Sequence, residues 1–219
     1  MFRSPLHFLV LVVALATLVL LVQFQVLTVA FEKLGLSEHS AYLLLMTTLA
    51  GSLVNLPLFT VDMEITPDPR LQPPAWLRVR PFGIPGKTIV AVNVGGAIVP
   101  IAFCLYLLMN RPVGAGPVLV CVTVVSAVAH VISRPIRGLG IGMPILIAPI
   151  AAAAIAAVIG APETRAPLAY IGGTLGVLIG ADLLRLKDIR RLGAPVASIG
   201  GAGSFDGIFV TGILAVLLA

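Results

Sequence analysis

The chain has 219 residues, of which 59% are hydrophobic and only 11% are charged. A soluble domain is typically about 45–50% apolar and about 25% charged, so this composition, with a mean hydropathy of +1.11, excludes an ordinary water-soluble fold and predicts a membrane protein. The net charge of +5 is scattered over short segments with no alternation of basic and aromatic residues, which argues against nucleic-acid binding.

Apolar runs divide the chain into about seven stretches that approach the ~20 residues needed to cross a bilayer as a helix. We therefore predict an all-α fold, a single transmembrane domain over residues 1–219 with about seven helices. The first run is longer than the apolar region of a signal peptide, so we assign it as a membrane helix. In chain order the predicted spans are Pro5 to Ala30, Ser40 to Phe59, Thr88 to Leu108, Pro112 to Ile132, Met143 to Ile159, Leu168 to Leu184 and Ala194 to Ala219.

The basic residues fall mainly into alternate connections between these spans. Cytoplasmic connections are enriched in Lys and Arg, so this asymmetry predicts an N-terminus inside the cell and, with seven helices, a C-terminus outside. The outer connections then hold only Lys33, Arg111 and Arg165 of the 14 basic residues. The cytoplasmic segments hold the others: Arg3; Arg70, Arg78, Arg80 and Lys87; Arg134 and Arg137; Arg185, Lys187, Arg190 and Arg191.

One cytoplasmic connection, residues 61–86, is long enough to have structure of its own. Apolar Val61, Met63 and Ile65 alternate with acidic residues, and Trp76 lies in a similar pattern after a Pro-rich turn. Alternation with a period of two predicts a short amphipathic β-hairpin, with Trp76 as an interfacial anchor. An irregular Pro-rich loop is the alternative.

Two aspartates stand within apolar sequence. Insertion of an ionisable residue near the bilayer centre costs about 2.5–3.5 kcal/mol, so such residues usually mark functional sites. Asp182 lies shortly before the basic residue Arg185, whereas no Lys or Arg stands between Arg191 and the end of the chain to balance Asp206. Asp206 is therefore the strongest single indication of a site.

Glycines recur around both aspartates. Gly172, Gly176 and Gly180 are spaced by four residues, a small-residue face typical of close helix contacts. Asp182 follows Gly180 by two residues and should point about 200° away from that face. A helix with both features should be central in the bundle.

The depth of Asp206 depends on where the last helix begins. A helix from Leu192 would separate the two carboxylates by about 21 Å along its axis. The Gly, Pro and Ser content of residues 193–204 instead favours a loop or re-entrant segment, a helix that begins near Phe205, and two carboxylates near the inner face. The glycines Gly201, Gly203 and Gly207 would then line the site.

Other polar residues fall in the cytoplasmic half under the same topology, and we expect a polar cavity there. Asn55, Asn93, His130 and Arg134 are candidates for substrate binding beside Asp182. Each also has a structural interpretation: a helix cap or kink, a bond between helices, a helix-end histidine, or a topology charge. Cys104 and Cys121 are expected to be core residues, and no metal or cofactor motif is found.

The stretch GTLGVLIGADLL…GAPVASIGGAGSFDGIFVTGILAVLLA, with AVNVGGAIVP and SRPIRGLGIGMP, resembles a family of prokaryotic multipass proteins of unknown function. That resemblance implies a prokaryotic cell membrane but no activity. The order of Asp182, a cytoplasmic connection and a glycine-led Asp206 also resembles the presenilin and signal peptide peptidase group. In this chain Ser204 and Phe205 separate the glycines from Asp206, and Ala181 replaces the tyrosine that precedes the first aspartate in that group.

Three functions are consistent with these residues. An intramembrane aspartyl protease would use Asp182 and Asp206 as its catalytic pair and a transmembrane peptide as substrate. A transporter or channel would use the same carboxylates for a small solute or ion. A non-catalytic scaffold would need them only for bridges to Arg185 or Arg134. Membrane lipid is the expected surrounding in all three cases.

Overall fold

In the described residues, most of the chain is helical, and five short strands interrupt the helices. The computed structural model describes residues 25–64, 86–136, 140–201 and 207–219. The all-α fold expected from the sequence is therefore corrected to a mainly helical one with two small sheets. The predicted anchor Trp76 and the first part of the first predicted span lie outside the described residues.

The helices are shorter than most of the predicted spans. Helix α1 covers residues 25–33, and α6 continues as a π-helical turn over Leu178–Leu183. Two further irregular turns are a π-helical turn at Val94–Ile98, before α3, and a 3₁₀ turn at Leu186–Arg191. The remaining bounds are α2 Glu38–Ser52, α3 Val99–Asn110, α4 Ala115–Ile132, α5 Ile147–Ile159, α6 Arg165–Val177 and α7 Gly207–Leu218.

Three predicted helical spans contain strands. The second span ends as a helix at Ser52, and its remainder forms β1, Asn55–Asp62; the third begins as β2, Lys87–Asn93; the last contains β5, Val196–Ile199. Pro57 has no N–H for a helix and is tolerated on an edge strand such as β1. Four of the five residues Thr88–Val92 are β-branched, which favours extended backbone.

The main sheet has the order β1-β2-β5. Strands β1 and β2 are antiparallel, with Asn55 opposite Asn93 and Asp62 opposite Lys87. The hairpin predicted within residues 61–86 lies mostly outside the described residues, and β1 and β2 flank that segment. Strand β5 pairs with β2 in parallel, Ile89 opposite Val196 and Val92 opposite Ile199. A second, smaller sheet joins β3, Arg134–Ile136, to β4, Gly140–Gly142.

The glycine face predicted on α6 packs directly on α4. A Cβ at Gly176 would lie 2.6 Å from the Cβ of Val125; one at Gly172 would overlap Cys121 Sγ, and one at Gly180 would overlap the Ser126 carbonyl oxygen. Residue numbers rise together on both helices, so α4 and α6 run parallel. Helix α6 also packs against α3, α5 and α7.

Two described helices are long and apolar enough to cross a membrane, namely α4 and α6 with its π-helical continuation. In the most apolar 18-residue stretch of α6 with its continuation, 72% is buried inside the protein; in that of α4, the buried share is 28%. This difference confirms the central position expected for α6. The other helices of the predicted seven are shorter than a full span in the described chain.

Candidate functional site

The parallel strands β2 and β5 end at the same edge of the sheet, and each is followed by a glycine turn. Strand β2 ends at Asn93 and is followed by the sequence VGGA; after β5 come Gly200 and Gly201. Read from the last polar residue of each strand, the two segments are NVGGA and SIGGA. The two glycine pairs, Gly95 with Gly96 and Gly200 with Gly201, therefore lie at the same edge of the sheet.

Asn93 joins the elements at this edge. Its side-chain Nδ2 donates to the Ser52 carbonyl at 2.7 Å and to Asn55 Oδ1 at 3.1 Å, and its Oδ1 accepts from the Gly96 amide at 2.7 Å. Asn55 Oδ1 also accepts from Ser198 Oγ at 2.6 Å. Asn93 is only 1% exposed, whereas Asn55 is exposed, so the network extends from the interior of the protein to its surface.

The two glycine turns touch each other through their backbones. A Cβ at Gly200 would lie 2.7 Å from the Cβ of Ala97, and a Cβ at Gly96 would overlap the Gly200 carbonyl oxygen. Gly200 and Gly201 have φ values of +82° and +80°, a backbone region that other residues rarely adopt. Only glycine therefore fits where the chain leaves β5.

The Asp182 side chain lies beside the glycine turn that follows β5. Its Oδ2 accepts from the Gly200 amide at 3.2 Å, so the carboxylate contacts the turn that leads from β5 toward α7. The residue is partly exposed and belongs to the π-helical turn of α6, an irregularity that is frequent at functional sites. Its direction, away from the Gly180 face that packs on α4, is the one predicted from the sequence.

The second aspartate of the predicted pair, Asp206, lies outside the described residues, as does Gly203. The chain is described again from Gly207, where α7 begins, close to the start near Phe205 that the sequence favoured. Residues 193–201 are not helical, and strand β5 occupies part of this predicted loop. Helix α7 packs on α6.

Apolar residues next to Asp182, at the end of β5 and at the beginning of α7 belong to one buried cluster. Ile208 is fully buried in the same apolar cluster as Ala181 and Ile199. Ala181 precedes Asp182, and Ile199 precedes Gly200. The end of β5 packs beside the π-helical turn that carries the carboxylate, and the beginning of α7 contributes to the same apolar cluster.

His130 belongs to a second polar cluster, on a different side of α6 from the contact between Asp182 and Gly200, and Arg134 begins β3; the single cavity expected from the sequence stays a prediction. His130 Nδ1 lies 3.2 Å from the Gly180 carbonyl oxygen, on the α4 side of α6. Arg185 donates to the His130 carbonyl at 2.6 Å and to Ser133 Oγ at 3.0 Å, and it pairs with Asp188 at 3.0 Å. His130 and Asp182 have separate contacts because Gly180, beside His130, and Asp182 point to different sides of one helix.

Sequence reasoning identified Asn55, Asn93 and Asp182 but missed Ser198 and the bridging role of Arg185. The parallel pairing of β2 with β5 brings Ser198 to Asn55, and no local pattern predicts that pairing. The repeat NVGGA and SIGGA, in which Ser198 occupies the position of Asn93, is the signal that could have found it. In the described residues, no three His, Cys, Asp or Glu side chains gather as metal ligands.

Comparison with known proteins gives one match. No curated protein and no solved structure matches the chain. A family model described as Protein of unknown function (DUF1614) matches residues 49–218, which include β1, β2, β5 and the helices α3 to α7. The resemblance to a family of unknown function, drawn above from the sequence, is confirmed at that level. Because the match covers most of the 219 residues, from the Asn93 network to α7, this chain belongs to the DUF1614 family.

Proposed function

We propose that the protein is an intramembrane aspartyl protease whose catalytic pair is Asp182 and Asp206. The hydrogen bond from the Gly200 amide to Asp182 Oδ2, at 3.2 Å, carries this proposal. This hydrogen bond joins the Asp182 carboxylate to the glycine turn that precedes Asp206 in the sequence. Ile208, two residues beyond Asp206, belongs to the same buried apolar cluster as Ala181, the residue before Asp182.

Placement in a membrane of a prokaryotic cell, with about seven helices and the N-terminus in the cytoplasm, is part of the proposal. Its support is the apolar surface of the helices. Large apolar side chains are exposed on α4 and α5, among them Leu119 at 69%, Val131 at 77% and Val158 at 84%. Such a surface is unfavourable in water and favourable in lipid.

The proposed chemistry needs no group besides the two carboxylates and a water molecule. Two carboxyl groups a few ångströms apart do not both ionise easily and therefore share one proton. The ionised group takes a proton from water as the water oxygen attacks the peptide carbonyl carbon. The protonated group donates its proton to the carbonyl oxygen, which gives a neutral gem-diol intermediate. The carboxyl that took the proton from water then donates it to the amide nitrogen, and the other carboxylate takes a proton from a gem-diol hydroxyl as the C–N bond breaks, so an amine and a carboxylic acid leave and the shared proton is restored.

The elements around Asp182 suit an extended peptide. Strand β5 is at the edge of the described sheet and ends at the carboxylate, and edge strands commonly bind peptides in extended form. Gly201, Gly203 and Gly207 would leave room for its backbone. Asn55 and Asn93 would act by holding β1, β2 and β5 in register.

The test is cleavage of a membrane-embedded reporter peptide by purified protein in liposomes. Asp182→Asn and Asp206→Asn should each reduce cleavage by about 10²- to 10⁴-fold, the usual contribution of a positioned acid or base. Asp188→Asn is the matched control, because Asp188 pairs with Arg185 on the 3₁₀ turn and should retain activity. Equal cleavage by the wild type and both variants would contradict the proposal.

A transporter is the second candidate, and a specific observation favours it. Thr211 of α7 is buried, and its hydroxyl oxygen has no hydrogen-bond partner in the described structure. It lies against α6, where a Cβ at Gly173 would be 3.3 Å from Thr211 Cγ2. Solute or ion flux into liposomes that is lost in Asp206→Asn, without peptide cleavage, would establish this function instead.

A further inference from the structure

The carboxyl ends of α4 and α6 meet at one side of the protein, since these helices run parallel. Arg185, just beyond α6, reaches across to the His130 carbonyl and Ser133 Oγ at the end of α4. Strand β3, which begins at Arg134, therefore lies beside the 3₁₀ turn Leu186–Arg191. Cations from two chain segments are brought together there.

Three of these cations are exposed and form no ion pair with the described acidic residues. Arg185 pairs with Asp188, and Arg191 pairs with Glu64 at 3.1 Å. By contrast, Arg134, Lys187 and Arg190 are exposed and form no ion pair within the described parts of the chain. We name Arg134, Lys187 and Arg190 the basic platform.

Apolar side chains border the basic platform. Leu183 and Leu184, at the end of α6, are 41% and 57% exposed, and Ile136, on β3 with Arg134, is 44% exposed. A surface that combines exposed aliphatic residues with lysine and arginine is typical of the membrane–water boundary, where the side-chain stems contact acyl chains and the charges reach the headgroups.

The basic residues at the opposite ends of the helices donate hydrogen bonds to backbone carbonyls. Lys33 donates to the Val216 and Leu217 carbonyls at 3.4 and 3.3 Å, at the end of α7. Arg111 donates to the Gly35 carbonyl at 2.8 Å, and Arg165 to the Gly160 carbonyl at 3.3 Å. These three cations satisfy backbone carbonyls, whereas the basic platform has no such role among its described contacts.

We propose that the basic platform binds the headgroups of anionic phospholipids in the cytoplasmic leaflet. The charges are complementary, and the flanking leucines place the cations at headgroup depth. The inference rests on the proposed membrane placement but not on proteolysis. Each exposed cation near an anionic surface contributes about fivefold to lipid affinity, so the three together contribute about 100-fold.

The test uses the full chain in non-ionic detergent, titrated with a fluorescent phosphatidylglycerol or with the corresponding phosphatidylcholine. Phosphatidylglycerol should bind more tightly. Arg134→Gln, Lys187→Gln and Arg190→Gln should each raise its Kd about fivefold, and the triple variant about 100-fold. Lys87→Gln is the control, because Lys87 is half-exposed and pairs with Asp62 at 3.9 Å; it should change the Kd less than about twofold.

Three results would overturn the inference: equal affinity for the two lipids, unchanged phosphatidylglycerol affinity in the triple variant, or displacement of the lipid by inorganic phosphate, which would indicate a simple phosphate site. The circular dichroism and thermal unfolding of the triple variant are compared with those of the wild type. No readout depends on peptide cleavage, so this proposal and the proposed function can fail separately.

Discussion

At the scale of single residues, Asn93 is the side chain on which the arrangement of the site depends most. It contacts the end of α2 through the Ser52 carbonyl, β1 through Asn55, and the glycine turn through the Gly96 amide. A buried amide with three satisfied contacts fixes three elements at once, whereas loss of one contact leaves a buried polar group unpaired. Asn93 is therefore a positioning residue for Gly200 and, through it, for Asp182.

Asn93→Ala should lower the free energy of unfolding by about 1–3 kcal/mol, because the Ser52 carbonyl and the Gly96 amide lose their side-chain partner. Asn93→Asp should cost more, since a carboxylate cannot donate to the Ser52 carbonyl and would face Asn55 Oδ1. Thermal unfolding in detergent measures both effects. Asn110→Ala is the control: Asn110 is exposed and donates only to Tyr106 within its own helix. If Asn93→Ala were as stable as this control, the network would not support the site.

At the scale of elements, the contact between α4 and α6 determines which way Asp182 points. Three glycines on α6 allow the helices to approach until backbone and side chains of α4 occupy the positions of the missing Cβ atoms. With this face committed to α4, a residue two positions after Gly180 must turn toward β5. Close packing of small residues thus orients the carboxylate as well as stabilising the helix pair.

Gly180→Ala should separate α4 from α6, because its Cβ would overlap the Ser126 carbonyl oxygen. We expect a loss of about 1–3 kcal/mol of stability, typical of overpacking, together with reduced reporter cleavage as Asp182 shifts. Gly116→Ala on α4 is the control, since nothing lies within 4 Å of its Cβ position and alanine favours helix. Equal stability of the two variants would show that the helices have room to adjust.

At the scale of the whole molecule, the distribution of charge determines the orientation that we propose. The parallel helices α4 and α6 both end at the basic platform, while Lys33, Arg111 and Arg165 serve as backbone donors at the other ends of the helices. In the orientation that we propose from the positive-inside rule, the basic platform, and Asp182 near it, lie on the cytoplasmic side.

Cysteine labelling tests this orientation in intact cells. Glu163→Cys, between α5 and α6, should react with a membrane-impermeant thiol reagent, and Lys187→Cys should react only after the cells are opened. Wild type is the background control, because Cys104 and Cys121 are both fully buried. Labelling of Lys187→Cys in intact cells, with protection of Glu163→Cys, would reverse the proposed topology.

The sequence by itself determined the features that depend on local composition and spacing. These are the apolar helices α4 and α6, the glycine face, the direction of Asp182 and a non-helical segment after Leu192. Only the tertiary structure decided that apolar runs such as Thr88–Val92 and Val196–Ile199 are strands, because a buried strand and a buried helix have the same composition and differ mainly in their partners. The pairing of β2 with β5 joins residues more than 100 positions apart, so Ser198, Asn55 and Gly200 could not be assembled around Asn93 and Asp182 from local pattern alone.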